Sequence, residues 1–172
     1  MRPLPRSRVL RMRSCLPVLA LALLLAQGCA GITGGCTYRI RSAAAVATTT
    51  VDGRTVAVDA LFFQVSDGSV PTAFEVGFGD SPLLSGTVTL TLADSRRPSE
   101  ALVRANVPAA ELVANRRFIS PVGDASTADR IFDAMASGAA ILTVHASGGG
   151  QPIANLTLVP RQVQGWTRPR CD

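Results

Sequence analysis

From Thr87 to Leu92 the chain reads Thr-Val-Thr-Leu-Thr-Leu, and this strict alternation limits what it can become more than any other feature. Successive side chains on a strand point to opposite faces, so Val88, Leu90 and Leu92 share one face and the threonines the other. On a helix the same residues would scatter around the axis. The period recurs along the chain. An Ala/Val/Thr-rich segment at 43–51 and the run Thr55 to Phe63 flank Asp52-Gly53, a pair suited to the positive φ of a two-residue hairpin turn. Asp67-Gly68 precedes Val70 to Phe78, and Ser95-Arg96-Arg97-Pro98-Ser99 turns the chain into Ala101 to Val107. Ala140 to Ala146 and Ile153 to Val159 flank the glycine-rich link Ser147 to Gln151. Short strands between frequent turn signals predict an all-β fold, an antiparallel β-sandwich of immunoglobulin-like or similar kind.

Two segments break the period. Pro108 to Ala114 is expected to form a short helix with proline in its first turn. Thr127 to Ser137 makes the stronger case. Ser126 can cap it, Asp129 sits near the positive end of the dipole, and Gly138 stops it. Ala128, Ile131, Phe132 and Met135 share a face, which is expected to pack across one open end of the sandwich.

The charge is unevenly placed. The 172-residue chain has a formal net charge of +5. Five arginines (Arg2, Arg6, Arg8, Arg11 and Arg13) precede an apolar run, and all 12 carboxylates follow it. Beyond residue 28 the remaining arginines balance those carboxylates, so the basic character belongs to a leader and leaves no nucleic-acid footprint on the domain. One histidine and no lysine exclude a many-histidine metal site, a Schiff-base enzyme and a lysine-bearing P-loop. The apolar run, Leu16 to Ala26, has eleven residues, where a membrane span needs about 20. Basic residues, a short apolar core and then small residues make a secretory signal peptide, with Met12 an alternative start.

The leader ends in Leu25-Ala26-Gln27-Gly28-Cys29, which resembles the bacterial lipobox. The resemblance covers the leader alone. It implies cleavage before Cys29 and diacylation of that cysteine, which becomes the new N-terminus. Ala26 stands where leucine is commoner, and cleavage after Gly28 or Ala30 without lipid is the alternative. If Cys29 carries lipid and Cys15 leaves with the leader, Cys36 and Cys171 remain, and an oxidising compartment favours a disulfide between them. Such a bridge closes a 136-residue loop, for which the chain-entropy model gives about 4–5 kcal/mol. Neither cysteine has a C-x-x-C partner, so redox catalysis and zinc ribbons are excluded.

Candidate chemistry is sparse. The stretch Val76-Gly-Phe-Gly-Asp-Ser81 is similar to the first block of GDSL-type esterases, which implies Ser81 as a nucleophile and His145 as its base. That family carries a carboxylate three residues before its histidine, and here Leu142 stands there. A serine without an oriented base is a weak nucleophile, and a turn between strands accounts for the same residues. The stretch Phe132 to Ala146, with its Val144-His145 pair, is similar to the C-terminal part of chordin-type repeats, which implies an extracellular β-rich domain. A structural histidine at a sheet edge accounts for His145 equally. Gly148-Gly149-Gly150 is followed by proline and a strand rather than a helix, so it reads as a loop and not a phosphate cradle. Arg96-Arg97 and Arg116-Arg117 could grip an anionic surface, but within a neutral domain they read as solvated turns. Trp166 is expected to fold back over the core in a C-terminal tail held by Cys171.

These readings predict a signal peptide at 1–28, a lipidated N-terminus and tether at 29–35, and one β-sandwich domain at 36–172. The expected protein is exported and lipid-anchored in the cell envelope, at the outer membrane of a Gram-negative cell because Ala30, not aspartate, follows Cys29. It is expected to be a non-catalytic binding or structural module without a cofactor. Its partners would be the membrane, through the anchor, and an envelope protein or ligand met at a sheet edge or at the strand-connecting loops, with no nucleic acid. The alternative is a secreted serine hydrolase using Ser81 and His145.

Overall fold

The computed structural model describes residues 37–51, 53–79, 86–112, 117–146 and 151–169. Alternation builds two antiparallel sheets from them. The strands are β1 (Ile40–Val51), β2 (Arg54–Val65), β3 (Ala73–Phe78), β4 (Thr87–Asp94), β5 (Arg97–Pro108), β6 (Phe118–Pro121), β7 (Ala140–Ala146), β8 (Ala154–Thr157) and β9 (Val159–Thr167). One sheet runs β6-β3-β2-β1-β9 and the other β5-β4-β7-β8. The fold is the all-β sandwich that the period predicts. No helix among the described residues is long and apolar enough to cross a membrane.

The β1–β2 hairpin shows how sequence sets register. Val51 pairs with Arg54, and Gly53 between them takes φ +76°. The register then places Ala43 opposite Phe62 and Ala47 opposite Val58, all buried on the inner face. Small residues on β1 beside large ones on β2 let the layers interdigitate. In β4, Val88, Leu90 and Leu92 are buried as the alternation requires, and Leu92 lies opposite Leu142 of β7. Phe74, Leu112 and Leu158 complete the fully enclosed core with Ile131 and Met135 of the helix.

That helix, α1 (Ala125–Ala136), closes one end of the sandwich. Its cap is Asp124 rather than Ser126: the Asp124 carboxylate accepts from Thr127 N at 2.7 Å. The helix therefore begins two residues earlier than its apolar pattern suggests. Ala128, Ile131, Ala134 and Met135 are buried, and Phe132 meets Phe62 at 6.1 Å in a tilted pair. Gly138 ends the turn at φ +72°, where a Cβ would stand 3.3 Å from Pro160 Cδ.

Three elements depart from expectation. The predicted helix after Pro108 shrinks to a 3₁₀ turn, Ala109–Glu111. Phe118–Pro121 pairs with β3 as a four-residue edge strand too short to show a period. Ile153 to Val159, read as one strand, divides at the buried Leu158, whose N–H bonds Ala140 O at 2.9 Å. The chain there leaves the second sheet and joins the first as β9, so the stretch around Trp166 is a strand rather than a tail. Pro160 lacks an N–H, which suits the edge position β9 occupies. Ile40 pairs with Thr167, so the chain enters and leaves the domain side by side.

Candidate functional site

The first charged feature beneath α1 is structural. Inward alternation of Ala43, Ala45 and Ala47 carries Arg41 inward too, and Arg41 is buried at 6% exposure. A guanidinium there needs partners. Its Nε donates to Gln64 Oε1 at 2.7 Å, and its Nη2 donates to Asp129 Oδ1 on the helix. Its flat faces are covered as well: the guanidinium carbon lies 4.9 Å from the Phe132 ring, 4.8 Å from Trp166 and 5.7 Å from Phe62. Arg39 lies over Trp166 at 5.5 Å. This stack ties β1, β9 and α1 together; Trp166 lies against Arg41 but is 41% exposed, so it does not cover the core as the sequence suggests. Among the described residues no buried side-chain polar atom lacks a partner.

The opposite flank of α1 is different. A cavity of about 290 Å³ opens between the helix and the β4–β5 turn, lined by Asp94, Arg96, Arg97, Arg130 and Asp133. The turn is built by Asp94, whose buried carboxylate accepts from Arg96 N at 2.9 Å, from Nε at 2.9 Å and from Nη2 at 2.8 Å. These bonds hold Asp94 below the ordinary carboxylate range and raise the Arg96 guanidinium. Ser95 N donates to Ala139 O at 2.7 Å and fixes the turn to the end of the helix. Arg130 donates from Nη2 to Glu100 at 2.6 Å.

Two lining groups have only longer-range partners: Arg97 attracts Asp94, and Asp133 attracts Arg96. Among the described residues, neither the Arg97 guanidinium nor the Asp133 carboxylate has a hydrogen bond or an ion pair. The pocket is donor-rich. Each guanidinium carries five N–H donors; Arg96 spends two on Asp94 and Arg130 one on Glu100. The lining holds carboxylates and guanidiniums but no hydroxyl, thiol or imidazole side chain, a set that suits holding a ligand by charge and hydrogen bonds.

The sequence candidates fall elsewhere. His145 lies on β7, half-buried and opposite Thr89 of β4. Ser81, Arg116, Gly148 to Gly150 and the cysteines Cys29, Cys36 and Cys171 lie outside the described residues. Arg117 faces Glu75 at 3.9 Å. Among the described residues no three His, Cys, Asp or Glu side chains cluster closely enough to hold a metal. Sequence reasoning noticed Arg96-Arg97 but read it as a solvated turn, and it missed Arg130 and Asp133. The available signal was their spacing of three on the polar face of the helix, which makes them neighbours.

Compared with protein-family models, with curated proteins and with solved structures, the chain matches none.

Proposed function

We propose that this chain is an exported, lipid-anchored protein of the cell envelope that acts as a non-catalytic binding module, its pocket of Arg96, Arg97 and Arg130 taking an anionic group. The observation that carries the reading is Arg97. It lines a small cavity without an ion pair among the described residues, beside two arginines already held in place by Asp94 and Glu100. Arginine is suited to such a task, because its planar fork grips two oxygens at once. The pocket sits on a strand-connecting turn carried by a rigid sandwich, a common arrangement for recognition. The leader and Cys29 supply the address: removal at the lipobox and acylation would leave the domain tethered to a membrane.

The test has two parts. Intact mass of the membrane-extracted protein is expected to show a chain that starts at Cys29 and carries added acyl mass. Titration of the full chain in detergent with inorganic phosphate is expected to show saturable, salt-sensitive binding that Arg97→Gln weakens at least tenfold. An unlipidated chain would remove the anchor. Phosphate binding that is absent, or indifferent to Arg97→Gln, would remove the pocket.

A further inference from the structure

The pocket is not a simple well of positive charge. Asp94 neutralises Arg96 at 2.8 Å and Glu100 neutralises Arg130 at 2.6 Å. One cation, Arg97 on the strand side, and one carboxylate, Asp133 on the helix side, have no hydrogen bond or ion pair among the described residues, only longer-range attraction to Asp94 and Arg96. A plain anion would gain Arg97 but meet Asp133, and a plain cation would do the reverse. Like-charge contacts in a recess are costly, whereas a ligand carrying both signs gains at both groups. The anionic half of such a ligand is chosen by the donors. Three N–H groups remain on Arg96, four on Arg130 and five on Arg97. That excess suits the several oxygens of a phosphate better than the two of a carboxylate. The cationic half is chosen by Asp133, which accepts the N–H groups of a primary ammonium, whereas a quaternary one is held by charge alone and makes no hydrogen bond. A volume of about 290 Å³ lies at the small end for ligand sites, so the occupant is headgroup-sized.

We infer that the pocket holds a phosphoethanolamine-type zwitterion, its phosphate on Arg97 with Arg96 and Arg130, its ammonium on Asp133. This rests on the anionic-pocket reading above and narrows it. The topology adds a direction. Asp94 at the end of β4 pairs with Ala140 at the start of β7, directly after α1, and α1 also reaches Arg41 at the start of β1. The pocket therefore opens at the end of the sandwich where the chain enters. From Cys29 to Thr37 there are eight residue steps, a contour of at most about 29 Å. A lipid on Cys29 would keep this end near the bilayer, where ethanolamine phospholipids present the same chemistry as the free zwitterion.

The experiment titrates the full chain in detergent micelles with O-phosphoethanolamine, inorganic phosphate and ethanolamine, using the natural chain, Arg97→Gln, Asp133→Asn and, as a control on β5, Arg104→Gln. Both pocket side chains are solvent-exposed, and circular dichroism checks that each variant folds. Phosphoethanolamine is expected to bind at least about tenfold more tightly than phosphate. Asp133→Asn is expected to erase that advantage while leaving phosphate unchanged or tighter. Arg97→Gln should weaken both ligands at least tenfold, and Arg104→Gln neither. Equal affinity for the two anions, with Asp133→Asn strengthening both, would overturn the zwitterion but keep an anion site. No binding of either would overturn both readings. Reconstitution then separates the sources. Vesicles of phosphatidylcholine with phosphatidylethanolamine should suppress binding of the soluble probe if the occupant is a lipid headgroup. Equal binding in phosphatidylcholine alone and in the mixture assigns the site to the free zwitterion.

Discussion

Removing Asp129 should cost this domain more than removing the arginine it serves. Arg41 has 7% of its side chain exposed, whereas Asp129 has 63%. The partners are therefore unequal: in Asp129→Ala the guanidinium stays buried with only Gln64 Oε1 and ring faces around it, while in Arg41→Met the carboxylate simply returns to water. Breaking a fully buried pair costs about 3–5 kcal/mol, and losing a hydrogen bond to a charged group about 1.5–3 kcal/mol. Water can reach the Asp129 side of the pair, so the lower part of that span applies, about 2–3 kcal/mol. Methionine keeps the length of the arginine stem and replaces the stacking on Phe132 and Trp166 with sulfur–ring contacts, each worth about 0.3–1.5 kcal/mol. Arg41→Met should therefore cost about 1 kcal/mol. The double variant should cost about as much as Arg41→Met alone, because the stranded charge has gone. Urea unfolding followed by far-ultraviolet circular dichroism measures all three. If Arg41→Met costs as much as Asp129→Ala, or if the double variant equals the sum of the singles, the buried-charge reasoning is wrong.

Acid should weaken the fold through its depressed carboxylates. Asp94, Asp67 and Asp124 all titrate below the ordinary 3.8, Asp94 chiefly through its Arg96 hydrogen bonds, so their stabilisation is intact above that value and is lost as pH falls through the lower folded values. Urea midpoints measured from about pH 5 down to about pH 2 should fall, and Asp94→Asn should flatten that fall. Gly138→Ala should destabilise by about 1–2 kcal/mol, since alanine resists φ +72° and its Cβ would press on Pro160. Gly165→Ala, without positive φ and with open space around it, should be neutral or slightly stabilising in the same melt. Trp166→Ala should cost about 1–2 kcal/mol through lost ring area and the Arg41 stack, and a cost near zero would show that the end of β9 is not docked.

Much of the sandwich was legible because alternation is a local signal. Val88, Leu90 and Leu92, the Asp-Gly hairpin and the limits of β7 follow from spacing alone, since one face of each strand must be buried and the other wetted. The missed elements are those whose identity depends on a distant partner. Phe118–Pro121 is a strand only because β3 offers it an edge, and Val159 to Thr167 is a strand only because β1 does. The helix was visible as an apolar stripe, but its true cap was hidden, because aspartate and serine both serve and the backbone path chose Asp124.

The site divides the same way. Sequence by itself determined the five arginines ahead of an apolar run, the neutral charge beyond residue 28, the two-sided strands and the presence of an arginine pair. Only the tertiary structure decided that one arginine of the domain is buried against three rings, and that Arg96 and Arg97 meet Arg130 and Asp133 across a cavity. The physical reason is range. Periodicity records which way each side chain points from its own backbone, within a few residues. Charge neutralisation is a property of space: among the described residues Glu100 makes an ion pair with Arg130, while Arg97 makes none. No spacing along the chain states that difference.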